Sequence, residues 1–458
     1  MFPVKVVAID NDQKELDLAI QGLAKANIPL LPIHYDSIEG IDNVIKKPLD
    51  GVRIVFCDIN LTDSSGSLNA AQVSGAISGV LNKLISKNNG PYVLIFWSKH
   101  VNLVEGIKDI FIERYPDTPS PSIIEMMEKN ILPSDTHGDE SQSANVLHFV
   151  EALQVILDNS PVTEILFRWE SLCMKSSSET INKLYDVTCS NISWGELGKT
   201  EELVGSTLKK IAEGVMGIKN LPDRSANALK EGLTPLLHDN LMNLEDPKFE
   251  KSAHAIIKKI IDEKIDAPVD NIALNTFYHV DNQHVSNTER GSFIKVDISP
   301  DSNFRSFFKH EWNNIFPDFY NGKFYSEYKV CCKNNGEKKI SSNEVRDNSI
   351  VGVVEISPAC DHAQNKNRNH RYLLMVLIPQ KYEHVISREG NHLGVHTLPS
   401  IIVDKMNFSP RVNFRYVIGL DPQQNILLES MFRLREQIMN EINFKFAQHA
   451  SRPGIVSF

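Results

Sequence analysis

Over the first third of the chain, short apolar runs alternate with segments whose apolar residues recur at three and four. The runs "VKVVAID", "IPLLPIHY", "GVRIVFCD", "PYVLIFWS" and "SIIEMMEK" carry four to seven apolar residues with little polar interruption. Strands that read this way are covered on both faces, as in a parallel sheet. Between them lie "QKELDLAIQGLAKAN", "SIEGIDNVIKK", "NAAQVSGAISGVLNKLISKN", "VNLVEGIKDIFIERY" and "SANVLHFVEALQVILDN", which predict helices. Five such β/α units predict an α/β domain over residues 1–158, doubly wound and flavodoxin-like, with a five-stranded parallel sheet. The polar loop "LPSDTHGDESQSA" interrupts the pattern before its last helix and reads as a surface loop.

The texture then changes. Segments such as "TEILFRWESLCMKSSSETINKLYDV" and "FEKSAHAIIKKIIDEK" keep helical spacing throughout and predict an all-α middle domain over 159–270. From 271 to 458 strand-like runs return in "GSFIKVDIS", "SIVGVVEIS", "RYLLMVLIP" and "FRYVIGLD". A long helix, "NILLESMFRLREQIMNEINFKFAQH", is predicted to close an α+β, strand-rich domain, a small barrel or curled sheet with that helix packed on it.

Composition narrows the class. A chain of 458 residues is too long for one core. Six cysteines without regular spacing do not form a disulfide framework, and with no secretory signal at the start a cytoplasmic location is expected. No apolar run is long enough to span a membrane. A net charge of −10 opposes broad affinity for nucleic acid, and no basic recognition helix is found, so no nucleic-acid partner is expected. The basic stretch "KNRNHR", Lys366 to Arg371, reads as a solvated loop.

In a doubly wound sheet the carboxyl ends of the strands face the ligand crevice. The first predicted strand ends in Asp10-Asn11-Asp12, the third in Asp58, the fourth in Ser98 and the fifth in Lys129. Oxygen donors of this kind suit Mg2+, and an ammonium beside them would offset charge on a phosphoryl group. The motifs "AIDND", "FCDINLTDSSG", "LIFWS" and "MMEKN", in this order, resemble the receiver domain of two-component response regulators. That resemblance covers about a third of the chain. It implies that Asp58 is the phosphoacceptor, that Asp10, Asp12, Asp58 and the carbonyl of Asn60 hold Mg2+, that Ser98 is the switch hydroxyl, and that Lys129 meets the phosphate. It implies a bacterial signalling protein fed by a histidine kinase or GHKL-type ATPase and acting on a downstream effector protein, in stress or phage defence, and leaves room for a homodimer. The sequence departs from the family at Asn11, where a second acid is usual, at Met126, where an aromatic is common, and at Asn130, where proline is usual.

Two other readings stand beside this one. In "VVEISPACDHAQNKNRNHRYLLMVLIP", Cys360 lies beside Asp361 and His362, which invites a receiver-gated hydrolase or nuclease with His362 or His370 as base. A metal set of Cys331, Cys332, Cys360, His362 and His370 is the variant of that idea, although no Cys-x-x-Cys pair is present. The third reading is a receiver-like scaffold that is never phosphorylated.

Overall fold

The computed structural model describes residues 4–61, 70–97, 104–129, 139–189, 196–265, 268–282, 289–296, 340–358, 362, 369–386, 394–420 and 430–451. Contacts divide the chain into two compact units, Met1–Asn182 with Leu237–Ile265, and Lys183–Leu236 with Asp266–Phe458.

The first unit holds β1 (Val6–Asp10), β2 (Leu31–His34), β3 (Ile54–Cys57), β4 (Val93–Trp97) and β5 (Ile123–Met127), all parallel in the order β2-β1-β3-β4-β5. Neighbouring strand residues point to opposite faces, and both faces are covered. Val7, Ile9, Val55, Cys57, Leu94 and Phe96 pack under α2 (Ala70–Leu84), through Val73, Ile77 and Leu81, and under Ile107 of α3 (Val104–Arg114). Val6, Ala8, Phe56, Val93, Ile95 and Trp97 meet Leu16, Ala19 and Leu23 of α1 (Gln13–Lys25). They also meet Phe149, Leu153 and Ile156 of α4 (Asp139–Asp158). This double cover is why the strand runs are continuously apolar. Val7, Val55, Ile77 and Leu81 are wholly shut from water, and each such burial contributes about 1.5–3 kcal/mol.

The predicted helix over 37–47 is absent. Asp36 instead accepts from the N–H groups of Ile38 (2.7 Å) and Glu39 (2.9 Å), and Gly40 takes a φ of +63°, closing a turn that helical backbone cannot follow. Ile41 and Ile45 still bury in the core, and their spacing is what read as a helix.

Four long helices follow: α5 (Pro161–Cys189), α6 (Leu197–Met216), α7 (Leu221–Asn243) and α8 (Pro247–Asp262). Pro247 opens α8 at a position that needs no N–H, and Asp246 caps it by accepting from Lys248 and Phe249. No described helix is long and apolar enough to cross a membrane.

After α9 (Asn271–His279), the second unit builds an antiparallel sheet. Its strands are β6 (Val280–Asp281), β7 (Ser292–Lys295), β8 (Ile350–Glu355), β9 (His370–Pro379), β10 (Val395–Thr397), β11 (Ile401–Val403), β12 (Met406–Leu420) and β13 (Ser430–Leu434). The order is β10-β12-β9-β8-β7-β13-β6, with β11 paired to β12. Leu373, Met375 and Leu377 face Ile438, Met439 and Ile442 of α11 (Glu436–Ala450). Tyr372, Leu374, Val376 and Ile378 face the other way, toward Val345 of α10 (Ser342–Asp347), Tyr382 and Val385. The predicted closing helix is therefore shorter than expected, since residues 430–434 form β13. Phe432 is fully buried and stacks on Phe293 with ring centres 4.9 Å apart. That cross-strand packing outweighs the helical spacing of the segment.

Candidate functional site

At the carboxyl edge of the parallel sheet, β1 delivers Asp10 and the residue after β3 is Asp58. The Asp58 N–H donates to the Ile9 carbonyl (2.9 Å), which extends the β1–β3 ladder by one bond and sets the two carboxylates side by side. Two residues beyond β5, Lys129 reaches back across the edge. Its Nζ lies 2.8 Å from Asp10 Oδ2, 3.0 Å from Glu15 Oε2 and 3.3 Å from Asp58 Oδ1, and its side chain is 9% exposed.

Asp12 has a separate structural duty. Its carboxylate accepts from Lys14 N (2.9 Å) and caps α1, while its own N–H donates to Asp10 Oδ1 (2.9 Å). That cap starts α1 in the phase that turns Glu15, in its first turn, toward Lys129.

The electrostatics follow from crowding acids in a poorly solvated place. Burial, reinforced by the Asp10 charge, raises the Asp58 carboxyl to about 6 against the pull of Lys129 and of the Asn60 N–H. Burial also raises Asp10, more than its hydrogen bonds to Lys129 and Asp12 lower it. Burial works against the Lys129 ammonium, but Asp58, Asp10 and Glu15 overcome it and raise its pKa. Burial and the adjacent carboxylates push the Cys57 thiol far up, which removes it as a nucleophile.

With all three acids ionised around one ammonium, two negative charges stand in excess. Among the described residues, the side-chain oxygen of Asn60 has no hydrogen-bond partner although it is buried, an arrangement that ordinarily costs free energy. The hard oxygen donors of Asp10 and Asp58 and the surplus negative charge fit a divalent cation such as Mg2+.

The structure thus brings Asp10, Asp58 and Lys129 together, with Asn60 alongside, and places Asp12 at the helix cap. Ser98 lies outside the described residues. Glu15 was missed by sequence reasoning; its signal was its place in the first turn after an N-capping aspartate. A cleft of about 840 Å³ lies at the other end of the strands, lined by Lys5, Arg53 and Glu170 among others. There Glu170 accepts from Lys5 and from Arg53 Nε (2.7 Å). Ligands of open parallel sheets bind at the carboxyl ends, so the small acidic crevice and not this cleft is the candidate site.

In the second unit, Cys331, Cys332, Cys360 and Asp361 lie outside the described residues. His362 and His370 both face Glu355, a buried acid that sequence reasoning passed over within the apolar run "VVEIS". The sequence matches no family model and no curated protein.

Proposed function

We propose that the first unit is a flavodoxin-like receiver whose Asp58 accepts a phosphoryl group and whose modification is read by the rest of the chain. The observation that carries this reading is the Lys129 ammonium seated between Asp10 and Asp58, at the carboxyl edge of a β2-β1-β3-β4-β5 parallel sheet. In that strand order the crevice opens at the β1/β3 switch point, where both aspartates stand.

The chemistry assigns each residue a task. With a pKa of about 6, Asp58 is ionised at neutral pH yet more basic than an ordinary aspartate, which favours it as a nucleophile. A carboxylate oxygen of Asp58 forms the new P–O bond while the P–N bond of a donor phosphohistidine breaks and the leaving imidazole takes a proton from water. Lys129 stays at hydrogen-bond distance from the acceptor and offsets the charge that arrives with the phosphoryl group. Asp10, Asp58 and the Asn60 carbonyl would hold Mg2+, with Glu15 supplying further negative charge and Asp12 fixing the α1 end beside them. When bound, the ion supplies neutralisation of phosphoryl charge. Ser98, one residue beyond β4, is the hydroxyl expected to bond the phosphoryl group once it is in place.

A histidine kinase or GHKL-type ATPase is the donor that suits this acceptor, and a downstream effector protein is the expected reader. The test is Mg2+ with beryllofluoride, which mimics an acyl phosphate. The thermal midpoint of the full chain should rise in wild type and stay fixed in Asp58→Ala. An unmoved wild-type midpoint would count against the proposal.

A further inference from the structure

The mouth of the β8–β9 hairpin, in the second unit, carries a second cluster of donors. Glu355 ends β8 and is fully buried; His370 opens β9; His362 lies in the connection between them. His362 Nε2 is 2.9 Å from Glu355 Oε2, and His370 Nδ1 is 3.3 Å from Glu355 Oε1. The two rings are 5.6 Å apart, and one donor atom from each residue falls within 4.8 Å of the other two.

We infer that Glu355, His362 and His370 form a binding site for a borderline divalent cation, Zn2+ being the best match. Two imidazole nitrogens and a carboxylate oxygen are a donor set that zinc accepts, and hard cations such as Mg2+ prefer oxygen alone. Bonds of about 2.0–2.1 Å in a tetrahedron place neighbouring donor atoms roughly 3.3 Å apart. Of the observed nitrogen–oxygen distances, 3.3 Å matches that edge and 2.9 Å falls a few tenths of an ångström short of it. A cation between the rings would replace the two histidine–glutamate contacts with bonds to itself and need little movement.

The surroundings hold the donors in place. The Ser357 N–H is 3.1 Å from both oxygens of Glu355, and the Ser357 hydroxyl accepts from the N–H of Arg371, next to His370. Arg224 donates to the His362 carbonyl (2.5 Å) and Arg290 to the Ser357 carbonyl (3.3 Å). The α7 backbone leaves helical geometry at Arg224 itself (φ −136°, ψ 21°), the residue that reaches His362. Groups fixed behind the ligands in this manner orient them for a metal. Both histidine side chains keep partial exposure, 19% and 17%, so a cation has a way in and room for a water as its fourth ligand.

The test uses the full chain without a histidine tag, stripped with chelator and titrated with ZnCl2 against a chromophoric competitor. One equivalent of Zn2+ per chain should bind. Losing a group that merely supports a ligand weakens binding by about 10–100-fold, so His362→Gln and His370→Gln should each lose more than ~100-fold. Asp58→Ala should bind as wild type does, which separates this site from the one in the first unit. Wild-type affinity in both histidine variants, or no bound equivalent in wild type, would overturn the inference. Should those variants misfold, Co2+ added to wild type decides: nitrogen–oxygen bands of a four- or five-coordinate ion support the site. A spectrum of hydrated Co2+, or one dominated by thiolate charge transfer, overturns it.

Discussion

Replacing Lys129 by methionine keeps a long apolar stem and removes the cation that faces Asp10, Glu15 and Asp58 at 2.8, 3.0 and 3.3 Å. The Lys129 side chain is 9% exposed, and those of Asp10 and Asp58 are 8% and 7%, so water compensates little for the loss. Removing one partner of a buried ion pair costs about 3–5 kcal/mol, because the other charge is left stranded. In a unit of about 210 residues, each kcal/mol moves the midpoint by about 2–4 °C, which gives a fall of roughly 6–20 °C. Thermal unfolding followed by circular dichroism at pH 8 in chelator measures it. Millimolar Mg2+ should then raise the variant's midpoint by more than it raises wild type, since the ion takes over the work of the ammonium. Lowering the pH to 5 should also recover part of the loss, because the stranded acids take up protons. A fall of less than about 3 °C in chelator, with no added response to Mg2+, would refute the idea that Lys129 neutralises a buried acid cluster.

Two further outcomes are expected, one at the acid cluster and one in the second unit. The folded-state pKa of Asp58, about 6 against an ordinary 3.8, means that the folded protein holds this proton more tightly than the unfolded chain. The stabilisation from that proton is therefore full below pH 3.8 and lost as pH rises through 6. In chelator, Asp58→Asn should accordingly be more stable than wild type at pH 8, by up to about 3 kcal/mol, and the gain should fade toward pH 4. Denaturant unfolding at the two pH values checks it, and a gain of equal size at both would count against the shift. In the second unit, a Cβ at Gly352 would come within 2.4 Å of Phe293 Cζ and 2.5 Å of the Ile294 carbonyl oxygen. Gly352→Ala should destabilise that unit by about 3 kcal/mol, the upper end for core overpacking, because backbone cannot step aside; denaturant unfolding measures it.

The parallel sheet was legible because its strands are covered on both faces, which leaves short unbroken apolar runs that no exposed strand would tolerate. The edge positions of Asp10, Asp58 and Lys129 were legible for the same reason, since each stands where such a run stops. Glu15 was not, because its approach to Lys129 depends on the phase at which the Asp12 cap starts α1, a matter of three-dimensional geometry. The turn at 37–47 was misread because Ile41 and Ile45 keep helical spacing while Asp36 and Gly40 bend the backbone. Residues 430–434 were misread because their helical pattern is overruled by pairing with β6 and β7. Glu355 hid inside an apolar strand, and its two histidines lie 7 and 15 residues away in sequence. Only folding brings them together.

The most direct measurement of the central claim is phosphoryl transfer itself. The full chain is incubated with Mg2+ and acetyl phosphate, and intact mass is followed by reductive trapping of the acyl phosphate and peptide mapping. One phosphoryl group per chain is expected, trapped at Asp58, dependent on Mg2+ and lost in Asp58→Ala. No adduct on wild type, or an adduct that persists in Asp58→Ala, would contradict it.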